Sequence, residues 1–172
     1  VRSMVERSKG LDHPFMLEEE KNKPNINGDL FIKLGNRALK VTGGPFESAP
    51  KGHGTVCMAK EKTGGDIRVP TQDFNVPTEQ ELIFGLWQAL DFFKHGKPFH
   101  VGCMGGWGRT GIFLTALVQL SYEMKYEPNP ALALRYVRDA YSPRAVENEG
   151  QEKFLRDLNL SALASYARHY LD

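Results

Sequence analysis

The chain has 172 residues, of which 41% are hydrophobic and 25% charged, and its formal net charge is +1. This length and composition predict one globular domain around a single core. The balanced charge argues against nucleic acid or an anionic membrane as partner, and the longest apolar stretch, residues 112–120, is too short to span a bilayer. With no recognisable leader and only two cysteines, the expectation is a cytoplasmic protein with free thiols.

The first part of the chain is predicted to form an arm and then strands. Residues 1–28 are polar and irregular, which predicts an N-terminal arm ahead of one domain, residues 29–172. Apolar residues that alternate with polar ones, separated by glycine-rich turns, favour short strands. The predicted elements are a hairpin over 29–42 with its turn at Gly35-Asn36, a loop over 43–54, and strands over 55–60 and 66–70.

Helices dominate the second part. Thr78 and Glu81 have the spacing of a capping box, and Gly96 ends the apolar periodicity of the helix that follows. The remaining predicted elements are a central strand at 98–102 and helices over 110–126, 129–141 and 148–170. Strands followed by concentrated helices predict an α/β fold, with a small mixed, largely parallel central sheet flanked by helices.

The segment VGCMGGWGRTG, residues 101–111, joins the central strand to a helix. Such a junction is where an open α/β sheet binds its ligand, and the unpaired amides at the helix start attract anions, phosphate above all. Glycines without side chains let the backbone curl so that several amides point inward. The segment therefore predicts a phosphate-binding loop.

Cys103 begins this loop and Arg109 ends it, with five residues between them. A thiolate is a nucleophile, and the amides and guanidinium that hold a phosphate also favour the thiolate. Arg109 offers a planar fork of donors to two phosphoryl oxygens. The spacing does not fit a nucleotide-binding P-loop, which requires Gly-Lys-Ser/Thr, and an inert turn with a buried cysteine would explain neither the arginine nor the glycines.

Cys103, five residues, then Arg109, Thr110 and Gly111 resemble the signature of the cysteine-dependent protein tyrosine phosphatase superfamily, in its compact dual-specificity branch. The resemblance implies that residues 29–172 are the catalytic domain and that Thr110 helps the thiolate to leave in the second step. It also implies a substrate-binding loop made of Met104, Gly105, Gly106, Trp107 and Gly108.

A proton donor is needed to expel the leaving oxygen of a phosphate ester. Asp73 lies between two prolines in PTQDFNVP, residues 70–77, which resembles the general-acid loop of the superfamily. Asp73 is therefore the predicted acid of the first step and base of the second. The alternative is that Asp73 is an aspartate of an ordinary turn. Of the other aspartates nearby, Asp66 competes for the role of the acid but precedes a strand, and Asp91 lies within a predicted helix.

Three further residues are assigned by resemblance alone. Gln151 would help to position water and Asn148 would brace the loop, although capping or surface roles fit both residues equally well. Cys57 lies in the strand before the acid, where some members of the superfamily carry a cysteine that forms a reversible disulfide with the nucleophile. A small buried hydrophobic residue is the alternative for Cys57.

One position departs from the pattern of the superfamily. The residue before the nucleophile is usually histidine, and here it is Gly102, with His100 two residues upstream. The departure predicts that Cys103 still acts as a thiolate, but that this thiolate is less strongly stabilised than in members with histidine at this position. It also keeps open a phosphate-binding pseudophosphatase.

The predicted activity is therefore hydrolysis of phosphotyrosine, with phosphoserine and phosphothreonine as further substrates. The loop has no lysine, which argues against inositol phosphates. A phosphatase of RNA ends or of another non-protein phosphate is the third candidate. No cofactor and no metal are expected, since the histidines are scattered, and the expected partner is a phosphorylated protein or peptide.

Overall fold

The computed structural model describes residues 28–172, so the predicted arm, residues 1–28, lies outside the described residues except for Gly28. The strands in this part of the chain are β1 (Leu30–Leu34), β2 (Arg37–Pro45), β3 (Gly54–Ala59), β4 (Ile67–Thr71) and β5 (Phe99–Cys103). The helices are α1 (Glu79–His95), α2 (Gly108–Met124), α3 (Pro130–Ala140), α4 (Glu149–Asp157) and α5 (Ser161–Tyr170), and a short 3-10 turn covers Phe46–Ser48.

The five strands form one sheet in the order β1-β2-β5-β3-β4. Only β1 runs antiparallel to its neighbour, and the other pairs are parallel. The predicted α/β class with a largely parallel sheet is confirmed. Because β5 is the central strand, the loop that follows Cys103 begins between β2 and β3.

Strand β2 is longer than predicted. Residues 43–45 were expected to begin a loop, but they continue the strand and pair with residues 101–103 of β5. The pairing with β5 explains this difference. The parallel partner strand supplies hydrogen bonds that keep the glycine-rich segment extended, and the sequence of the segment alone does not predict them. As a result Pro45 lies beside Cys103.

The two helices around the central strand form as the sequence predicts. The Thr78 side chain accepts a hydrogen bond from the Glu81 amide, and Gly96 ends α1 in the left-handed conformation. Helix α2 is buried along most of its length, which explains its almost continuous apolar sequence. It packs against the sheet on one side and against α1, α3, α4 and α5 on others, and its buried position fixes where its N-terminus meets the loop.

The C-terminal region forms two helices where one was predicted over residues 148–170. The chain leaves the helical conformation at Leu158, and the Asn159 side chain accepts a hydrogen bond from the Ser161 amide. Asparagine and serine side chains compete with helical hydrogen bonds in this way. Among the described residues, no helix has the length and apolarity to cross a membrane.

Candidate active site

Cys103 is the last residue of β5 and is almost fully buried, with 3% of its surface exposed. Its Sγ accepts hydrogen bonds from the Gly106 amide at 3.3 Å and from the Thr110 hydroxyl at 3.1 Å. Both donors favour a negative charge on sulfur. Cys103 and Thr110, predicted to act together, are therefore in direct contact.

The loop between Cys103 and α2 is curled tightly. Gly106 has a φ of +86°, a conformation that favours glycine. Its carbonyl accepts a hydrogen bond from the buried Tyr141 hydroxyl at the end of α3. Burial raises the pKa of Tyr141, so this hydroxyl remains a donor. Tyr141 thus fixes the loop from behind, a role that the sequence pattern does not predict.

Arg109 lies in the first turn of α2 with 1% of its side chain exposed. Its two Nη atoms donate to the two carboxylate oxygens of Glu61 at 2.7 and 2.8 Å, and Nη1 also donates to the Thr71 carbonyl at 2.9 Å. The hydrogen bond with Glu61 raises the pKa of Arg109. Its guanidinium is therefore held charged and in one orientation next to the loop.

Replacing Glu61 by glutamine should lower kcat/KM for an aryl phosphate by about 10- to 100-fold, because a loosened Arg109 no longer presents its fork correctly. Hydrogen bonding to Arg109 lowers the pKa of Glu61 from 4.5 to about 2. The stabilisation from the ionised carboxylate is then complete above pH 4.5 and lost only as the pH falls toward 2. Kinetics of both proteins at several pH values between about 5 and 8 should give the same ratio throughout.

The control for that experiment is Glu47→Gln, which removes an exposed carboxylate that pairs with Lys62 and does not contact Arg109. It should leave kcat/KM unchanged. A Glu61→Gln protein as active as the original would show that Arg109 does not depend on this ion pair.

Asp73 lies in the connection between β4 and α1, half exposed, with Oδ1 3.6 Å from Arg109 Nε. The structure therefore brings the predicted acid and the predicted phosphate ligand together. The next residue, Phe74, has a φ of +62° and is 64% exposed. Its left-handed backbone is unusual for a bulky residue and turns the loop sharply beside Asp73.

Helix α4 supports this acid loop. The Asn148 side chain donates to the Phe74 carbonyl at 3.0 Å, and the buried Gln151 side chain donates to the Asn75 carbonyl at 3.1 Å. Asn148 also caps α4 by accepting from the Gln151 amide. These observed contacts are with the acid loop, and the direct roles of both residues toward substrate and water stay predictions.

The remaining loop residues form the rim of the site. Met104 is 52% exposed, Gly105 is exposed, and Gly108 is buried at the start of α2. The Arg144 guanidinium lies 4.7 Å from the centre of the Trp107 ring. Apolar surface is therefore exposed on the loop at Met104 and, next to Asp73, at Phe74.

Close packing of β5 against Phe46 requires glycine at position 102. A Cβ atom at this position would lie 2.9 Å from the Phe46 backbone nitrogen and nearer still to its Cα. Histidine cannot replace Gly102 without moving Phe46.

His100 fills a different position, buried within β5 and facing β2. Its Nδ1 is 2.9 Å from the Thr42 hydroxyl, and its Nε2 is 3.0 Å from the Pro45 carbonyl. Burial lowers the pKa of His100, so the neutral ring donates from Nε2 to Pro45 and accepts from Thr42. His100 holds together the two strands that end beside Cys103.

Cys57 is completely buried and pairs with Gly102 across β3 and β5. Its thiol donates to the Ala59 carbonyl. Adjacent residues of a strand point to opposite faces, so Cys57 and Cys103 start from opposite faces of the sheet. Both are free cysteines, and a disulfide between them stays a prediction.

Two carboxylates of the site were missed at the sequence level. Glu61 and Glu147 lie far from the motif in the chain, and the resemblance assigns a role to neither residue. The charged residues around Glu61 are typical of a solvated loop, and only the fold brings Glu61 to Arg109. Within residues 28–172, no group of three or more His, Cys, Asp or Glu side chains is arranged to hold a metal ion.

Solved structures of similar fold share this architecture. Tk-PTP in its active form is 22% identical, with a TM-score of 0.56 over 74% of this chain and 95% of that one. PTPMT1 is 17% identical, with a TM-score of 0.57 over 81% and 99%. Kinase associated phosphatase is 14% identical, with a TM-score of 0.56 over 83% and 99%. The chain has the fold of these phosphatases, so the fold that the resemblance of the loop implies is confirmed.

Sequence relatives are less informative about activity. Two uncharacterised proteins of Methanocaldococcus jannaschii are 34% and 36% identical to the chain, over 95 and 93 residues. The matches cover 53% and 52% of this chain and 57% and 52% of those proteins, so the chain spans about half the length of the curated relatives it matches. No protein-family profile matches the chain.

Proposed function

We propose that this protein is a phosphomonoester hydrolase that works through a phosphocysteine intermediate and acts on aryl phosphates, phosphotyrosine first. The observation that carries the proposal is the pair of hydrogen bonds to Cys103 Sγ, from Gly106 and Thr110, at the N-terminus of a buried helix. This arrangement favours the thiolate and, beside it, a bound phosphoryl group.

In the first step, Cys103 Sγ attacks phosphorus and the P–O bond to the leaving group breaks. The loop amides and Arg109 hold the other phosphoryl oxygens, so charge that develops in the transition state meets donors already in place. Asp73, close to Arg109 and partly exposed, gives its proton to the leaving oxygen. Protonation matters most for a poor leaving group.

In the second step, water attacks the phosphocysteine and the P–S bond breaks. The electron pair returns to Sγ, where the hydrogen bonds from Thr110 and Gly106 stabilise the departing thiolate. Asp73, now a carboxylate, is the base that the sequence predicts for this water.

The rim favours an aromatic substrate. Phe74 on the acid loop and Met104 on the phosphate loop are both more than half exposed, and Trp107 lies between Met104 and α2. Exposed apolar side chains around a polar centre bind the apolar part of a ligand. PTPMT1 has been solved in complex with PI(5)P, but the loop here carries no lysine for additional phosphates.

Replacing Cys103 by serine should abolish hydrolysis of para-nitrophenyl phosphate, because the hydroxyl is a far weaker nucleophile than the thiolate. The measurement is release of nitrophenol by the purified proteins. Cys57→Ala is the matched control, since it removes the other cysteine and should leave turnover in place.

Lack of turnover by the unchanged protein, with phosphate still bound, would favour a pseudophosphatase. Comparing phosphotyrosine, phosphoserine and phosphothreonine peptides with PI(5)P and a 5′-phosphorylated RNA then determines the substrate class. A preference for RNA would support the third candidate and contradict the proposal, and the same holds for a preference for PI(5)P.

A further inference from the structure

Glu147 places a carboxylate against the phosphate loop from the turn before α4, and neither proposed step uses it. We propose that Glu147 is a second catalytic carboxyl: Glu147, in place of Asp73, is the general base that takes the proton from the water that hydrolyses the phosphocysteine. The inference rests on the proposed function, because it assigns a residue to the second step of that reaction.

Contact with Gly108 is the first argument. The Glu147 Cδ atom lies only 2.7 Å from the position that a Cβ of residue 108 would occupy. The carboxylate therefore fills the space that a side chain would take next to Arg109, at the N-terminus of α2. Glu147 is exposed to solvent, so water reaches it from the other side.

Several side-chain hydrogen bonds hold the turn that carries Glu147 in a strained conformation. Val146 has a φ of +62°, which is strained for a β-branched residue. The Arg138 side chain donates to the Ala145 and Val146 carbonyls at 3.0 and 2.8 Å, and Gln151 Oε1 accepts from the Glu147 amide at 2.7 Å. Strain of this kind persists where surrounding contacts impose it, and it is concentrated at functional sites.

Charged groups from three elements face Glu147. Burial raises the pKa of Glu147, and the negative charge of Asp73 on the acid loop raises it further. The Gly108 amide and Arg109 of α2, with Arg144 of the same turn, act in the opposite direction. A raised pKa makes a carboxylate a stronger proton acceptor.

The proposed step balances as follows. The water oxygen forms a bond to phosphorus while the P–S bond to Cys103 breaks. The electron pair of that bond goes to Sγ, and the proton of the water goes to Glu147. The products are inorganic phosphate, the Cys103 thiolate and a protonated Glu147 that returns its proton to solvent.

The test is a pre-steady-state measurement with para-nitrophenyl phosphate on Glu147→Gln. Nitrophenol should appear in a rapid burst equal to the enzyme present, followed by a steady rate about 100-fold below that of the unchanged protein. Mass spectrometry of the quenched reaction should detect the phosphoryl group on Cys103. Glu149→Gln, an exposed carboxylate two residues away, is the matched control and should retain the original rate.

The pH profile and a chemical rescue separate a base from a structural residue. A base must be ionised, so kcat of the unchanged protein should rise with pH as Glu147 loses its proton, and this rise should disappear in Glu147→Gln. Added formate should restore the second step in Glu147→Ala, because it supplies a carboxylate in the vacated space.

Two outcomes would overturn the inference. One is a Glu147→Gln protein that keeps the original steady rate and accumulates no phosphoprotein. The other is an equal loss of burst rate and steady rate without formate rescue, which would give Glu147 a positioning role only. Should Glu147→Gln fail to fold, Glu147→Asp undergoes the same measurements. Absence of turnover in the unchanged protein would instead remove the proposed function itself.

Discussion

Replacing Arg109 by lysine is expected to lower kcat/KM for para-nitrophenyl phosphate about 1000-fold. Both Nη atoms of Arg109 already bind Glu61, and its Nε edge lies toward Asp73. The guanidinium thus has separate edges for the ion pair and for a phosphoryl group. A lysine ammonium is a single point of charge, and it cannot serve both.

The loss should be larger in kcat than in KM, because Arg109 acts most strongly on charge that develops in the transition state. Steady-state kinetics and thermal unfolding of the variant provide the measurement. Arg135→Lys, an exposed arginine on α3, is the matched control and should retain the original kinetics. If Arg109→Lys kept more than a tenth of the original kcat, the guanidinium would not be the phosphate ligand.

The short-range part of the site could be predicted from sequence. Cys103, Arg109 and Thr110 lie within one loop, and strand–loop–helix geometry fixes their relation once the strand and helix are recognised. The structure brings Thr110 to the sulfur and Asp73 to Arg109. Local signals also predicted the ends of α1, because the capping side chain and Gly96 act within one turn.

The contacts that depend on tertiary packing could not be predicted. Glu61 is 48 residues from Arg109 in sequence, and nothing in its surroundings distinguishes it from a solvated glutamate. The extension of β2 depends on its parallel partner, and the end of α4 on competition from Asn159. For Glu61 and β2 the deciding interaction lies outside the sequence window in which periodicity is read, whereas Asn159 acts locally, through a side-chain hydrogen bond that hydrophobic periodicity does not register.

Gly102 is the position where sequence and structure lead to different explanations. The sequence treats it as a missing histidine that weakens the thiolate. The structure shows β5 packed directly against the backbone of Phe46 at this point, with His100 holding Thr42 and Pro45 from its own position. Absence of histidine is therefore a condition of the local packing.

Gly102→His is accordingly expected to destabilise the protein without increasing activity. Overpacking typically costs about 1–3 kcal/mol, and here the obstruction is backbone, so the upper end applies. For a chain of this length about 3 kcal/mol corresponds to a fall in Tm of about 6–12 °C. Thermal unfolding measures the change, and Gly102→Ala should already show most of it, since the first added atom meets Phe46.

Gly150→Ala in the first turn of α4 is the matched control, because the nearest atom to its added Cβ is a side-chain oxygen at 3.3 Å. Alanine favours helix over glycine by up to about 1 kcal/mol, which offsets the small shift required of the Asn148 side chain, so Tm should change much less than in Gly102→Ala. A Gly102→His protein that unfolds at the original temperature and alkylates faster at Cys103 would contradict the packing explanation. In that case the histidine ring would have reached the sulfur without displacing Phe46. Histidine at position 102 would then have the role that it has in the superfamily.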